Sequence, residues 1–462
     1  MALRPRRLKW RFAWAITAAV EASISGFLEL LPEQELVQQH LIAAVRRQFE
    51  LYGFAPLQTR SVERVEDLLN QGDTVKEIYG LHRLAEPEAQ GATKLALHYD
   101  LTVPFARYVR EHQHQLVFPF RRYQVQPAWR GERPQLGRYR EFIQADADVI
   151  GRDELPVEHD AEMVSMLGQT LAGLPVPPVR LMINNRKLLE GFYLGLGITK
   201  VTETLRIVDK LPKLGEGGVH EALSKTGLSA SQVERCLAVS QLESHESGHL
   251  REQIQSLGVQ HELLTQGLDE VCMVLDRSAA DLPGQVVAAL HIARGFDYYT
   301  GTVVEGVLRD HPNLGSICSG GRYDNLASTK RALPGMGVSI GITRLMSFLL
   351  HLNLLQPRRK TPAQVFVILH SEEQRGLSID VTRSLRQRGI GCLLSSAARA
   401  YGKQIQQAER LGIDYVWFPA QGDKPHTVKD VVTGEQSEAA LQSWQPDAER
   451  LDLGRAVHRA TT

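Results

Sequence analysis

Residues 129–150, WRGERPQLGRYREFIQADADVI, constrain the fold more than any other stretch of the chain. Arg130, Arg133, Arg138 and Arg140 surround a single interior acid, Glu132, and Pro134-Gln135-Leu136-Gly137 breaks the run. Proline and glycine there mark a turn. The alternation that follows, Phe142-Ile143-Gln144-Ala145-Asp146-Ala147-Asp148, is that of a strand. The segment therefore reads as two antiparallel strands with guanidinium groups on the loop and inward face. A planar guanidinium fork holds phosphate oxygens bidentately and keeps its charge. A solvated, charged hairpin would share this composition. The polar inward pair Gln144 and Asp148, four residues apart on a strand otherwise suited to a core, favours a site.

At 462 residues the chain has room for roughly two to four domains, each with its own core. Lys plus Arg equals Asp plus Glu at 53 each, so net charge points to neither a nucleic-acid nor a membrane partner. Any polyanion site must be a local concentration, as residues 121–140 are. Cys236, Cys272, Cys318 and Cys392 are far apart, with no zinc-like spacing, so neither a disulfide framework nor a metal centre is expected. A reducing, cytoplasmic setting fits. Residues 1–25 stand apart: Arg4, Arg6, Arg7, Lys9 and Arg11 precede an apolar run, 12–16, too short to span a bilayer. Glu21 interrupts the place of a cleavage site, so a poorly ordered extension is expected.

Further along, Pro32 with Glu33 and Glu35 marks a helix start, and Val37, Leu41, Val45 and Phe49 step by four down one face. An extended segment is expected at 54–60. Asp100 and Thr102 share one face of a segment ending at Pro104; they suit an ammonium group or a helix N-cap, and both readings stay open. A helix is expected over 161–171, a strand over 179–184, and a mainly helical region over 187–282. Then comes His291-Ile292-Ala293-Arg294-Gly295-Phe296-Asp297-Tyr298-Tyr299-Thr300-Gly301-Thr302, odd for a core strand because buried Arg and Tyr need partners. Ser319-Gly320-Gly321-Arg322-Tyr323-Asp324 has the glycines of a close backbone approach. Residues 335–345, GMGVSIGITRL, form a small-residue strand running into a helix, with Arg344 near the junction. No GxxxxGK[ST] run exists, so a nucleotide would not be held by a P-loop.

Taken together, these segments resemble the histidyl-tRNA synthetase family of class II aminoacyl-tRNA synthetases. WRGERPQLGRYREF is similar to its motif 2, residues 335–345 to its motif 3, and the opening at Gly26-Phe27 with the helix after it to motif 1, the dimer element. ARGFDYYTG and GGRYD are similar to two segments peculiar to the histidine enzymes. The likeness implies an α+β fold: an antiparallel sheet flanked by helices over residues 26–353, with an inserted helical subdomain at about 187–282. A linker at 354–363 and an α/β anticodon-binding domain at 364–462 would follow. Short apolar strands at 365–369, 392–394 and 415–418, alternating with helical stretches at 377–388 and 403–411, agree with such a domain. Lys403 and Gln404 are candidate base readers there, with solvated helix residues the simpler reading.

The resemblance also implies roles. Arg130 would hold the α-phosphate of ATP and Arg344 the γ-phosphate from the opposite side, with Arg138 and Arg140 as further phosphate contacts. Glu132 would lie near the adenine and Phe142 stack on it. Asp100, Thr102 and Gln144 would receive the α-amino group of L-histidine, while Asp148 and Tyr299, beside Tyr298, would read the imidazole. Arg294 would be catalytic together with Arg130, sitting against the α-phosphate. Mg²⁺ would ride on the β and γ oxygens of ATP. Ligation of histidine to tRNA(His) through a histidyl-adenylate by a homodimer is what the family implies. His98, Trp129, Ser319 and Val304 depart from the family pattern without removing a proposed contact. Two non-catalytic readings compete: a regulatory partner of ATP phosphoribosyltransferase, and a sensor of uncharged tRNA. The intact Arg130, Arg294 and Arg344 weigh against both.

Overall fold

The computed structural model describes residues 24–69, 76–83, 93–292, 298–328, 330–355 and 357–447. Almost all of the 1–25 extension lies outside them, as does Arg294. The strands of the first domain are, in chain order, β1 (Ala55–Pro56), β2 (Val62–Arg64), β3 (Gly80–Leu81), β4 (Leu95–Leu97), β5 (Phe120–Trp129), β6 (Glu141–Ile150), β7 (Val179–Asn185), β8 (Glu243–Ser244), β9 (Val286–Ala289), β10 (Thr302–Leu308), β11 (Cys318–Tyr323) and β12 (Gly335–Gly341). The expected hairpin is β5–β6, in unbroken antiparallel register from Phe120↔Ile150 to Trp129↔Glu141. It anchors a nine-stranded sheet of order β1-β5-β6-β12-β11-β10-β7-β9-β8, antiparallel from β5 through β7. The extended segment expected at 54–60 shrinks to the two residues of β1, which pair in parallel with Arg122 and Tyr123.

Period-2 alternation gives this sheet two chemically different faces. On one side Ala145, Ala147 and Val149 of β6 join the apolar stripe of the helix Pro32–Leu51 and the helix Glu158–Ala172. Val37, Leu41, Val45 and Phe49 are each at most 3% exposed. Burial of such a side chain is worth roughly 1.5–3 kcal/mol, and this, more than any cap, holds the helix: its N-cap is Leu31, which has no side-chain oxygen. On the other side Gln144, Asp146 and Asp148 face a smaller core containing Tyr99, Phe105, Met182 and Tyr323.

Residues 187–282 are mainly helical as expected, yet their buried Leu188, Phe192, Val271 and Leu275 belong to the same core as the sheet. Two glycines set that packing. A Cβ on Gly191 would lie 2.1 Å from Leu264 N, and one on Gly267 would lie 2.2 Å from Leu188 N. The helices Arg186–Gly195 and Glu262–Asp281 thus touch backbone to backbone at both positions.

A second sheet, β14-β13-β15-β16-β17, follows, built from β13 (Val365–Val367), β14 (Cys392–Leu394), β15 (Tyr415–Phe418), β16 (Thr427–Asp430) and β17 (Gln436–Glu438). Helices Arg375–Gln387 and Tyr401–Leu411 and a separate core on each face make it the expected small α/β unit. Two charges of the preceding linker find a partner in the C-terminal unit. Arg358 lies 2.8 Å from Asp414 Oδ1, and Arg359, 5% exposed, pairs with Asp414 Oδ2. Among the described residues no helix is long and apolar enough to cross a membrane.

Candidate active site

The polar face of the sheet floors a cavity of about 610 Å³ and, adjoining it, a pocket of about 100 Å³. Arg130, Glu132, Arg138, Phe142, Gln144 and Arg344 line the larger space. Asp100, Thr102, Asp148 and Tyr299 line the smaller one, and Arg130 and Gln144 border both. Segments far apart in sequence meet here because β6 lies between β5 and β12.

Each arginine is held by its own fixtures. Arg130 leaves the end of β5, donates from Nε to Tyr99 O at 2.9 Å, and stands 5.1 Å from the centre of the Phe142 ring. Arg138 lies 3.5 Å from Glu132 across the loop. Arg344 reaches in from the helix Ile342–His351, donating from Nη2 to Leu314 O at 2.9 Å and covering Phe348 at 5.2 Å. Its Nε is buried with no partner among the described residues. Burial first, and the neighbouring Arg138 second, pull its guanidinium down to about 10, well below arginine's ordinary value. Arg130 and Arg138 share one carboxylate, Glu132, and three guanidiniums around it leave an excess of positive charge that suits a polyanion. The loop reaches this helix through Gly137, where a Cβ would strike Phe348 at 2.3 Å and where φ is +71°.

Not every arginine of the loop takes part. Arg140 does not line the cavity; it donates to Glu132 O at 3.3 Å and Ser25 O at 3.2 Å, bracing the loop backbone. Arg133 is exposed.

The smaller pocket is built from cross-strand pairs. Arg122 stands opposite Asp148, Gln124 opposite Asp146, and Gln126 opposite Gln144. Arg122, fully buried, lies 2.8 Å from Asp148 Oδ2, and Tyr323 donates to Asp148 Oδ1 at 2.9 Å. Burial raises the Asp148 carboxyl, against the pull of Arg122. Asp100 Oδ1 accepts the Val103 amide at 3.1 Å, near the start of the helix Thr102–His112, while Oδ2 accepts the Tyr298 hydroxyl at 3.2 Å. Asp100 thus both holds an amide of the helix's first turn and lines the pocket. Tyr298 is behind Asp100 rather than on the pocket wall, whereas Tyr299 lies flat over Gly321, where a Cβ would be 2.8 Å from its ring. Gln144 donates to Ser339 Oγ at 2.9 Å.

The alternation also explains Gly320-Gly321-Arg322-Tyr323. Tyr323 turns into the pocket, and Arg322 turns away to grip Asp160 with a fork at 2.8–3.2 Å, tying β11 to the helix Glu158–Ala172. The buried His98, a departure from the family pattern, sits with Nε2 2.8 Å from Pro127 O and packs against Trp129. Sequence reasoning missed Arg122, Asp146, Ser339 and the role of Tyr323. The signal for Asp146 was available, because residues 144, 146 and 148 alternate in step. Gln404, a candidate base reader, is fully buried and bonds both Leu369 N and Leu369 O, so its part is structural. Lys403 is exposed. Among the described residues no group of three or more His, Cys, Asp or Glu side chains is placed to hold a metal ion.

The family description "Histidyl-tRNA synthetase" matches residues 26–345. A histidine–tRNA ligase of Thermobifida fusca is 48% identical over 427 residues, 91% of this chain and 97% of that protein. One from Micrococcus luteus is 46% identical over 447 residues, 93% of this chain and 97% of its own. The crystal structure of histidyl-tRNA synthetase from Nostoc sp. PCC 7120 superposes with a TM-score of 0.82 at 34% identity, covering 92% of this chain and 97% of that one. A structure described as an ATP phosphoribosyltransferase regulatory subunit/histidyl-tRNA synthetase from Bacillus halodurans shares the fold, with a TM-score of 0.69 at 21% identity.

Proposed function

The chain belongs to the histidyl-tRNA synthetase family, and from that premise we propose how its residues carry out the reaction. The activity is ligation of L-histidine to tRNA(His), with ATP as the energy-bearing substrate. The 610 Å³ cavity takes the nucleotide, and the 100 Å³ pocket takes the amino acid. Arg130, on the border of both, lies against the α-phosphate and the histidine carboxylate. Arg344 and Arg138 receive the outer phosphates, Phe142 supplies a face for the adenine, and Glu132 lies at its edge. Arg140 sets the loop rather than touching phosphate. Mg²⁺ would enter with the nucleotide substrate and supply positive charge to its phosphates.

In the smaller pocket Asp100, Thr102 and Gln144 receive the α-ammonium group, and Asp148 with Tyr299 reads the imidazole. A wall of hydrogen-bonding groups buried this deeply discriminates strongly, because any side chain without matching ring nitrogens leaves them unsatisfied. The histidine carboxylate then attacks the α-phosphorus in line, pyrophosphate leaves, and a terminal ribose hydroxyl of tRNA(His) takes the histidyl group from the adenylate. Bringing one anion onto another calls for fixed positive charge more than proton transfer. Arg130 provides it on one side; Arg294, outside the described residues, is assigned the other side by resemblance.

One observation carries this reading: Arg130 and Arg344 line a single cavity that abuts a pocket of buried carboxylates. The regulatory alternative rests on shared fold alone. Homodimerisation is also proposed, supported by the exposed Leu28, Leu31 and Leu51 on the opening segment and first helix. The test of the site is histidine-dependent ATP–pyrophosphate exchange by Arg130→Ala. A fall of about 10²–10³-fold is expected for loss of a preorganised charge; near-normal exchange would refute the assignment.

A further inference from the structure

Three carboxylates, Asp100, Asp146 and Asp148, line the 100 Å³ pocket, each at most 2% exposed. Two have strong partners: Asp100 accepts from Val103 and Tyr298, and Asp148 from Tyr323 with Arg122 alongside. Asp146 differs. Its Oδ1 is buried with no hydrogen-bond partner among the described residues, and the Ser339 hydroxyl is the donor it has. Directly opposite in register stands Gln124, whose Oε1 is buried and lacks a partner in the same way. The amide of Gln124 is already committed to Thr59 and Gln126, so it offers Asp146 an acceptor and not a donor. Gln124 thus supplies no donor, and the unmatched Asp146 oxygen either accepts from a ligand or carries the proton itself.

We propose that Asp146 is a third receiving carboxylate for the substrate, protonated in the empty pocket on the acid side of neutrality and ionised when the α-ammonium of histidine enters. This rests on the pocket's being the histidine pocket. The groups facing Asp146 are Asp148 on its own strand, Arg122 on β5, Asp100 ahead of the helix Thr102–His112, the hydroxyls of Ser339, Tyr299 and Tyr323, and Arg130 at the rim. The empty pocket thus has three carboxylates against one buried guanidinium and one on its border. Burial above all, with Asp148 and Asp100 adding to it and Arg122 opposing, holds the Asp146 carboxyl up to about 7. The α-ammonium of the arriving histidine, charged at both pH 6 and pH 8, reverses that balance. The proton passes to solvent, and the freed carboxylate oxygen accepts a charge-assisted hydrogen bond from the ligand.

The experiment is calorimetric titration of L-histidine into the full chain at pH 6 and pH 8, in two buffers of different protonation enthalpy, for wild type and Asp146→Asn. Histidine's own titration is common to both proteins and cancels in the comparison. Wild type is expected to release close to one proton more than the variant at pH 6 and little more at pH 8. Its affinity should exceed the variant's by about 10–100-fold at pH 8, the worth of a hydrogen bond to a charged group. That advantage should shrink by up to about tenfold per pH unit below 7. Ser339→Ala, which removes the donor favouring the ionised form, should move the break to higher pH. Equal proton release by wild type and Asp146→Asn, or a break unmoved by Ser339→Ala, overturns the proposal. A wild-type protein that binds no histidine overturns instead the reading on which it rests.

Discussion

Replacing Arg344 with methionine should leave the empty protein as stable as before while crippling its use of ATP. The guanidinium is held down at about 10, well below arginine's ordinary value, and each tenfold change in proton affinity is about 1.4 kcal/mol. The free protein therefore bears about 3 kcal/mol to keep this cation, or about 2 after allowing for the solvent that reaches it. Because the folded-state value lies below the unfolded one, that penalty is in full force at neutral pH. It lifts only as pH climbs above about 10. Methionine forfeits the bond to Leu314 O, about 1 kcal/mol, and the contact over Phe348, about 0.5–1 kcal/mol. Gains and losses nearly cancel. The nucleotide side does not cancel, since a phosphate that relieves the crowding of Arg344, Arg138 and Arg130 loses a charged donor worth about 1.5–3 kcal/mol. KM for ATP should rise about 10–150-fold, read by histidine-dependent pyrophosphate exchange, and the melting temperature without nucleotide should stay within a few degrees of wild type. A variant that melts far lower yet keeps its KM for ATP would mean that Arg344 is a structural residue, and the electrostatic argument would fail.

Three further substitutions probe other parts of the chain. Arg294→Ala should abolish histidyl-adenylate formation while far-ultraviolet circular dichroism stays native; substantial exchange activity in a folded variant contradicts the role taken from resemblance. Gly337→Ala puts a Cβ 2.1 Å from Asp148 Oδ1, so the KM for histidine should rise at least tenfold with that for ATP little changed, as steady-state kinetics in each substrate would reveal. Asp414→Ala strands Arg359 in a buried position and should destabilise the C-terminal unit by about 3–5 kcal/mol, seen in urea unfolding followed through Trp417; an unshifted midpoint rules that out.

How much of this was legible in the sequence depended on whether a residue's task is local. The hairpin, the stripe on the helix Pro32–Leu51 and the strand-to-helix turn before Arg344 are set by periodicity and turn chemistry within one window, and all three stand where expected. The arginines show where that logic stops. Arg130, Arg138 and Arg140 look equivalent in a loop, but only the position of the helix Ile342–His351 decides which of them meets Arg344 in a shared cavity and which turns back to brace the backbone. The charged linker shows the same limit: nothing near Arg358 and Arg359 in the sequence names their partner, because Asp414 lies far along the chain, just before β15. Arg122 and Asp148 are the sharpest case: each alone is an unlikely core residue, and only the register of β5 on β6 turns two improbable burials into one ion pair. A buried charge in a sequence is thus a statement about a partner not yet located. Where the fold gives Asp148 an ion pair but leaves one oxygen of Asp146 without a donor among the described residues, the ligand becomes the remaining candidate.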